Sequence, residues 1–194
     1  MTWSKNGTSS TLGSAGDVMT ISDLAVNKFN VILDHELATG NIDNANWTFN
    51  NNTSSVYAFR HSKNGAADGS SSSQPYILYN IGDGAWDRHI IGYVCSISGE
   101  EKLVIMFGVG GNTAGAGTAP DRIEQVGRFA PSPDADITRI DNTNLGTGDY
   151  DTSSNLSALG SDGVESMTVQ DGAVYYDTDL NKSYVLYNNA WTEL

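Results

Sequence analysis

The chain has 194 residues, with 23 Asp and Glu against 10 Lys and Arg, a net charge of −13 and an isoelectric point near 4.3. That balance offers no cationic surface to displace counterions from a nucleic-acid backbone, and it opposes docking on anionic membranes. Gly, Ser, Thr and Asn fill 76 positions, while Leu, Ile, Val and Phe fill 41; with 18 aromatics this lies just on the folded side of the ~20% disorder boundary, and the length fits one ordinary domain with a small appendage.

Residues 1–16 are polar and rich in Gly, Ser and Thr, with Trp3 and Leu12 as the only large apolar side chains, and read as an arm or linker. It is either a mobile terminus or an arm that docks on a neighbour. Residues 17–160 read as short strands. Val18–Ser22 alternates. Lys28–Leu37 places Phe29, Val31, Leu33, His35 and Leu37 on one face and Asn30, Ile32, Asp34 and Glu36 on the other, the period of a half-buried strand. Val56–His61 and Tyr76–Ile81 are two more, joined by a Gly/Ser/Asn loop over Ser62–Gln74. His89–Ile97 and Lys102–Val109 form the clearest hairpin, around a Ser98-Gly99-Glu100-Glu101 turn in which Gly99 is free to take positive φ. Leu103-Val104-Ile105-Met106-Phe107 is apolar at every position, so its strand is expected at the centre of a sheet and covered on both sides.

Gly108–Pro120 reads as a long loop, followed by strands at Arg122–Phe129 and Ile137–Ile140. Leu145, Leu156 and Leu159 lie in a loop-rich stretch. Residues 161–194 form a separate unit. Val164–Val169 is a strand, and Gly172–Asp177 and Lys182–Tyr187 make an aromatic hairpin around Thr178-Asp179-Leu180-Asn181. Such a unit buries little alone and is expected to dock on the main domain or on another copy. No helical period of ten or more residues occurs, and the pattern specifies an all-β chain, a sandwich or barrel.

Candidate chemistry is sparse. His35, His61 and His89 stand on separate strands without the spacing of a metal site. In Asp34-His35-Glu36 the two acids share one strand face and the histidine points the other way, so the reading is a solvated acidic face with His35 beside the core. Cys95, the single cysteine, excludes an internal disulfide and cysteine-built zinc sites; it alternates with apolar neighbours and reads as a small buried hydrophobe. Gly108–Gly117 fails both phosphate-loop patterns: Thr113 stands where the third glycine belongs and no Lys follows Gly115. Asp177–Asn181 begins like a calcium loop but has Lys182 and Asn188 at the sixth and twelfth positions. Asp134, Asp136, Asp141, Asp149, Asp151 and Asp162 are the oxygen donors a calcium site would draw on, at loose spacing. Six sequons are what an Asn/Ser/Thr-rich composition supplies by chance. Neither a cofactor, a resident metal nor a catalytic residue is expected. Trp47 and Trp86, near polar loops, are the candidate glycan contacts, with ordinary packing as the alternative. The longest apolar stretch, Ile90–Ile97, is too short to span a bilayer, and Met1–Lys5 holds no signal-peptide core, so cytoplasmic synthesis without membrane insertion is expected.

Gly172–Trp191 resembles the G-x-x-Y-Y-D-T-x-x-x-x-x-Y-V-Y-N-x-x-x-W hairpin unit that recurs in tail-fibre and other structural proteins of tailed bacteriophages. It covers about a tenth of the chain and departs from the pattern at Leu186. Ser98–Ile105, Asn112–Pro120 and Val126–Phe129, with Tyr57–Gly69, are similar to proteins of marine viruses and marine microbial sequences over roughly Lys28–Gly160; those carry no established catalytic residues, and none is transferred. The resemblances imply a non-enzymatic virion structural protein with a jelly-roll-like or other β-sandwich body and a small C-terminal hairpin unit. It would be exposed on the capsid or on a tail or fibre and serve assembly, particle stabilisation or attachment. Its partners would be other virion proteins, itself as a homo-oligomer, and in one variant a host-surface glycan. The contact regions expected are Asn46–Thr53, Ser62–Gln74 and Gly108–Pro120. The alternatives are a carbohydrate-recognition module and a polysaccharide hydrolase; the latter needs two carboxyls ~5–9.5 Å apart in a cleft.

Overall fold

Period-two alternation organises the chain, and every regular element among the described residues is a strand. A computed structural model describes residues 3–26, 29–42, 45–79, 84–111, 115–161, 174–178, 181–187 and 190–194. The chain divides into two units, Thr2–Gly163 and Val164–Leu194.

The strands of the first unit are β1 (Ser4–Thr11), β2 (Val18–Ile21), β3 (Phe29–Glu36), β4 (Ala38–Thr39), β5 (Ala45–Phe49), β6 (Tyr57–Lys63), β7 (Gly69–Gln74), β8 (Ile77–Tyr79), β9 (Arg88–Cys95), β10 (Lys102–Gly110), β11 (Asp121–Phe129), β12 (Ile140–Thr143), β13 (Asp149–Tyr150) and β14 (Asn155–Ser161). Eight form one antiparallel sheet in the order β1-β14-β3-β9-β10-β11-β6-β7, and four form a second in the order β2-β12-β5-β8; β13 and β4 pair separately. The inner faces of the two larger sheets share one core, so the unit is a β-sandwich. This order establishes a sandwich and not the jelly-roll form of it.

Several segments differ from their sequence reading. The stretch expected as an N-terminal arm contains β1, an edge strand paired with β14 from Ser4↔Gly160 to Thr11↔Asn155, with its register broken between Asn6 and Ser10. The Leu156–Leu159 region is not loop but β14, which joins β1 to β3. The Ser62–Gln74 segment ends in β7, a strand of small polar side chains on β6. Asn46–Thr53 begins inside β5, where Asn46, Trp47, Thr48 and Phe49 are all buried. The β9–β10 hairpin forms as expected, with Gly99 at φ +81° in its turn.

The core takes Met19 and Ile21 from β2, Trp47 and Phe49 from β5, Ile77 and Tyr79 from β8 and Ile140 from β12. These pack on Ile32, Ile90, Val94, Val104, Met106, Ile123 and Phe129 of the large sheet. Burying each large apolar side chain contributes roughly 1.5–3 kcal/mol. Phe49, Tyr57 and Phe129 cluster with ring centroids 4.9–6.1 Å apart, Tyr57 stacked on Phe129 and Phe49 edge-on to Phe129. The Tyr57 hydroxyl accepts from Phe49 N–H at 2.8 Å and donates to Asn52 O at 2.9 Å. Two glycines let large rings lie on the backbone. A Cβ on Gly92 would stand 2.6 Å from the Trp47 ring, and one on Gly108 would stand 1.4 Å from the Tyr79 oxygen. At the hairpin turn the buried Lys102 ammonium donates to Ile97 O (2.7 Å), to Glu100 O and to Asp134 (2.9 and 3.1 Å).

The second unit is a three-stranded antiparallel sheet of β15 (Val174–Asp177), β16 (Lys182–Tyr187) and β17 (Ala190–Glu193). Tyr175 pairs with Tyr184 and Leu186 with Trp191, the aromatic hairpin expected from the sequence. The Lys182 ammonium reaches Glu193 at 2.7 Å in solvent. The strand expected at Val164–Val169 lies outside the described residues.

Candidate functional site

On β3 the period of two holds, but the faces are reversed. Asn30, Ile32, Asp34 and Glu36 point into the sandwich; Phe29 and His35 are exposed, and Val31 and Leu33 half-buried, on the far side. The reading of Asp34 and Glu36 as a solvated face with His35 beside the core is therefore corrected: both carboxylates are fully buried. Buried donors from three other strands hold them there. Trp47 Nε1 donates to Asp34 Oδ2 at 2.8 Å. The Asn142 amide donates to Asp34 Oδ2 and to Glu36 Oε1, both at 2.7 Å, and accepts from the Tyr150 hydroxyl at 2.9 Å. Arg88 binds Glu36 Oε2 at 3.4 Å and Ile42 O at 3.1 Å.

One guanidinium thus faces two carboxylates. Burial pushes the Asp34 carboxyl well above the usual carboxylate range, and the neighbouring Glu36 charge adds to it. Burial raises Glu36 as well, against the opposing pull of Arg88. Glu36 pairs with Arg88, and Asp34 is the carboxyl whose charged form burial and the Glu36 charge disfavour together. Its Oδ1 has no hydrogen-bond partner. This pair stands in the core rather than in a cleft, so it is not the exposed carboxyl pair a polysaccharide hydrolase needs.

The outer face of the eight-stranded sheet has the opposite character. Leu103, Ile105, Phe107, Val109, Tyr93 and Val126 are 41–50% exposed, with Phe29 and Leu159 at 37%. The register places them side by side. One cross-strand row runs Leu159–Val31–Tyr93–Ile105–Val126–Arg60; the next holds Leu33, Ile91, Phe107 and Glu124; the third holds Phe29, Cys95, Leu103 and Arg128. β10 is central, as its all-apolar sequence implies, but it is covered on one side only. Cys95 lies half-buried on this outer face rather than in the core. The rim carries Arg60, Arg122 and Arg128 opposite Asp68, Glu124 and Glu101, in exposed pairs at 3.4–3.7 Å. Small side chains on β6 and β7 leave two depressions, one on each side of the Ile105–Val126 ridge. One, of about 570 Å³, is bounded by Leu103, Arg128 and Glu101; the other, of about 260 Å³, by Phe107 and Glu124. A contiguous apolar patch rimmed by polar groups is the physical mark of a contact surface.

The remaining candidates fall as follows. Trp47 is fully buried with its N–H spent on Asp34, so it offers no face to a glycan. Trp86 is half-buried, with the Lys63 ammonium 5.7 Å from its ring centroid. His35 and His89 are cross-strand neighbours with ring centroids 6.2 Å apart, and His61 is on β6. Among the described residues no group of three or more His, Cys, Asp or Glu side chains is placed to hold a metal ion; Asp134 and Asp141 pair with Lys102 and Arg139, and Asp162 lies outside those residues. The outer side of the four-stranded sheet has a depression of about 470 Å³ lined by Asn46, Thr48, Asn51, Tyr76, Arg139 and Asp141 among others. The chain matches no protein-family model, no curated protein and no solved structure.

Proposed function

We propose that this chain is a non-enzymatic structural protein of a virus particle, exposed on the capsid or on a tail or fibre, and that it acts through packing: assembly, particle stabilisation or attachment. The observation that carries the reading is the apolar outer face of the eight-stranded sheet. Its central strand is as hydrophobic outside as inside, a composition selected in strands that are covered on both sides. Left in water such a surface is an aggregation hazard; in an assembly it becomes core. The resemblance of Gly172–Trp191 to tail-fibre hairpins supports the same class, and the −13 charge keeps the free chain soluble before assembly. Cryo-electron microscopy of intact particles tests it: the expected result is this sandwich within the particle with its large-sheet face covered, and particles without the chain would refute it.

A second reading, glycan recognition during attachment, is supported by the depression on the four-stranded sheet, where Tyr76, Asn46, Asn51, Arg139 and Asp141 combine an aromatic ring with hydroxyl-binding groups. Glycan-array binding that is lost in Tyr76→Ala would favour it. Absence of binding to any glycan would dispose of it.

A further inference from the structure

We infer that the partner covering the outer face of the eight-stranded sheet is a second copy of this chain, related by a two-fold axis that lies between the sheets along the row Leu159–Val31–Tyr93–Ile105–Val126. This rests on the reading of that face as an assembly surface and names its occupant.

Area is the first argument. Eight large side chains at 37–50% exposure, with the half-buried Val31, Leu33, Ile91 and Cys95 between them, present on the order of 800 Å² per chain, one partner's share of a standard stable interface. Charge is the second. The chain carries −13 overall, yet the rim of this face balances Arg60, Arg122 and Arg128 against Asp68, Glu101 and Glu124. Two copies can therefore approach here without the repulsion that their acidic surfaces exert elsewhere.

Register is the third argument, and it selects the axis. The row through Ile105 is the midline of the three rows described above. Rotation about it exchanges the two flanking rows, since Leu103 and Phe107 lie two residues to either side of Ile105, and Arg128 and Glu124 two residues to either side of Val126. Leu103 then meets the partner's Phe107, Phe29 meets the partner's Leu33, Cys95 meets the partner's Ile91, and Arg128 meets the partner's Glu124. Each contact occurs twice, as an isologous interface requires. An axis parallel to the strands would instead lay Arg128 and Glu124 on the apolar side chains of β9 or β3 and leave charges buried without partners.

Sedimentation equilibrium of the full chain tests this, with circular dichroism to confirm that each variant keeps its strands. The wild type is expected to be a dimer from micromolar concentration upward. Arg128→Glu and Glu124→Arg each place like charges opposite one another twice, and each is expected to weaken the dimer about ten- to a hundredfold. Mixed in equal amounts the two variants are complementary at both contacts, and a 1:1 heterodimer of wild-type affinity is expected. A monomeric wild type up to about 100 µM, where even a weak specific interface of this size would show, would overturn the inference; so would single variants as dimeric as the wild type, or a mixture that stays monomeric. The underlying reading fails separately. A dimer in solution with the chain absent from particles would remove the virion role alone, and a particle map with a different protein on this face would remove the second copy alone.

Discussion

Replacing Asp34 by asparagine should stabilise the protein, and increasingly so as pH rises. Among the described residues Arg88 stands beside two buried carboxylates, and burial together with the Glu36 charge holds the Asp34 carboxyl well above the usual carboxylate range. In the unfolded chain that carboxyl ionises with a pKa near 3.8. Between that value and the raised native one, the folded state binds a proton that the unfolded state has lost. Folding stability therefore falls as pH climbs through this window, by up to about 1.4 kcal/mol per pH unit from this group. The asparagine side chain reproduces the protonated acid: its carbonyl accepts from Trp47 and Asn142 as Oδ2 does, and its amide takes the place of Oδ1, which is unpartnered in the native protein. Urea unfolding of both proteins from about pH 4 to about pH 8 measures the difference, and comparison at each pH cancels the general repulsion of an acidic chain. The two should coincide near pH 4, with Asp34→Asn pulling ahead above it. Parallel curves, or a variant that loses stability relative to wild type as pH rises, would show that Asp34 is ionised in the fold.

Other substitutions probe the same core. Gly92→Ala drives a methyl to 2.6 Å from a Trp47 ring that its hydrogen bond to Asp34 holds in place; a cost of about 2–4 kcal/mol in urea unfolding is expected, and much of it should vanish in a Trp47→Phe background, where that part of the ring is gone. Tyr79→Phe removes a buried hydroxyl that has no partner and is expected to be neutral or to stabilise by about 1 kcal/mol in thermal unfolding. Lys102→Met takes the donor from Asp134 and two turn carbonyls and should cost about 2–3 kcal/mol, with hydrogen exchange rising first in residues 97–101.

The sequence period identified β3, β6, β8, β9, β10 and β11 because alternation or an unbroken apolar run marks them directly. It missed β5, β7 and β14 for a physical reason. Ser70–Ser73 of β7 are small polar residues whose place is set by pairing with β6, while in β5 (Trp47, Phe49) and β14 (Leu156, Ala158) the alternation spans only two core positions among polar residues, too short to mark a strand, and pairing with neighbours, as of β14 with β1 and β3, sets their place. The reversed faces of β3 have a different origin. Apolar side chains at Phe29, Val31 and Leu33 point to solvent while Asp34 and Glu36 point inward, because Arg88, Asn142 and Trp47 satisfy the acids from distant parts of the chain. Reading the more hydrophobic face as the buried one fails here because that face lies on the outer side of the sandwich. The all-apolar β10 carried that signal in the sequence, and the register of its neighbours turned it into a surface.

Cys95 reports on that surface most directly, since the single thiol sits half-buried among Tyr93, Phe29 and Leu103 on the outer face. Its alkylation by iodoacetamide in the full chain, followed across a dilution series, should slow as concentration rises, by about tenfold or more once the covered state dominates. Ile105→Lys, which sets a charge at the centre of the patch, should react at the fast, dilute rate at every concentration. A wild-type rate that never departs from that of Ile105→Lys would contradict the claim that another molecule covers this face.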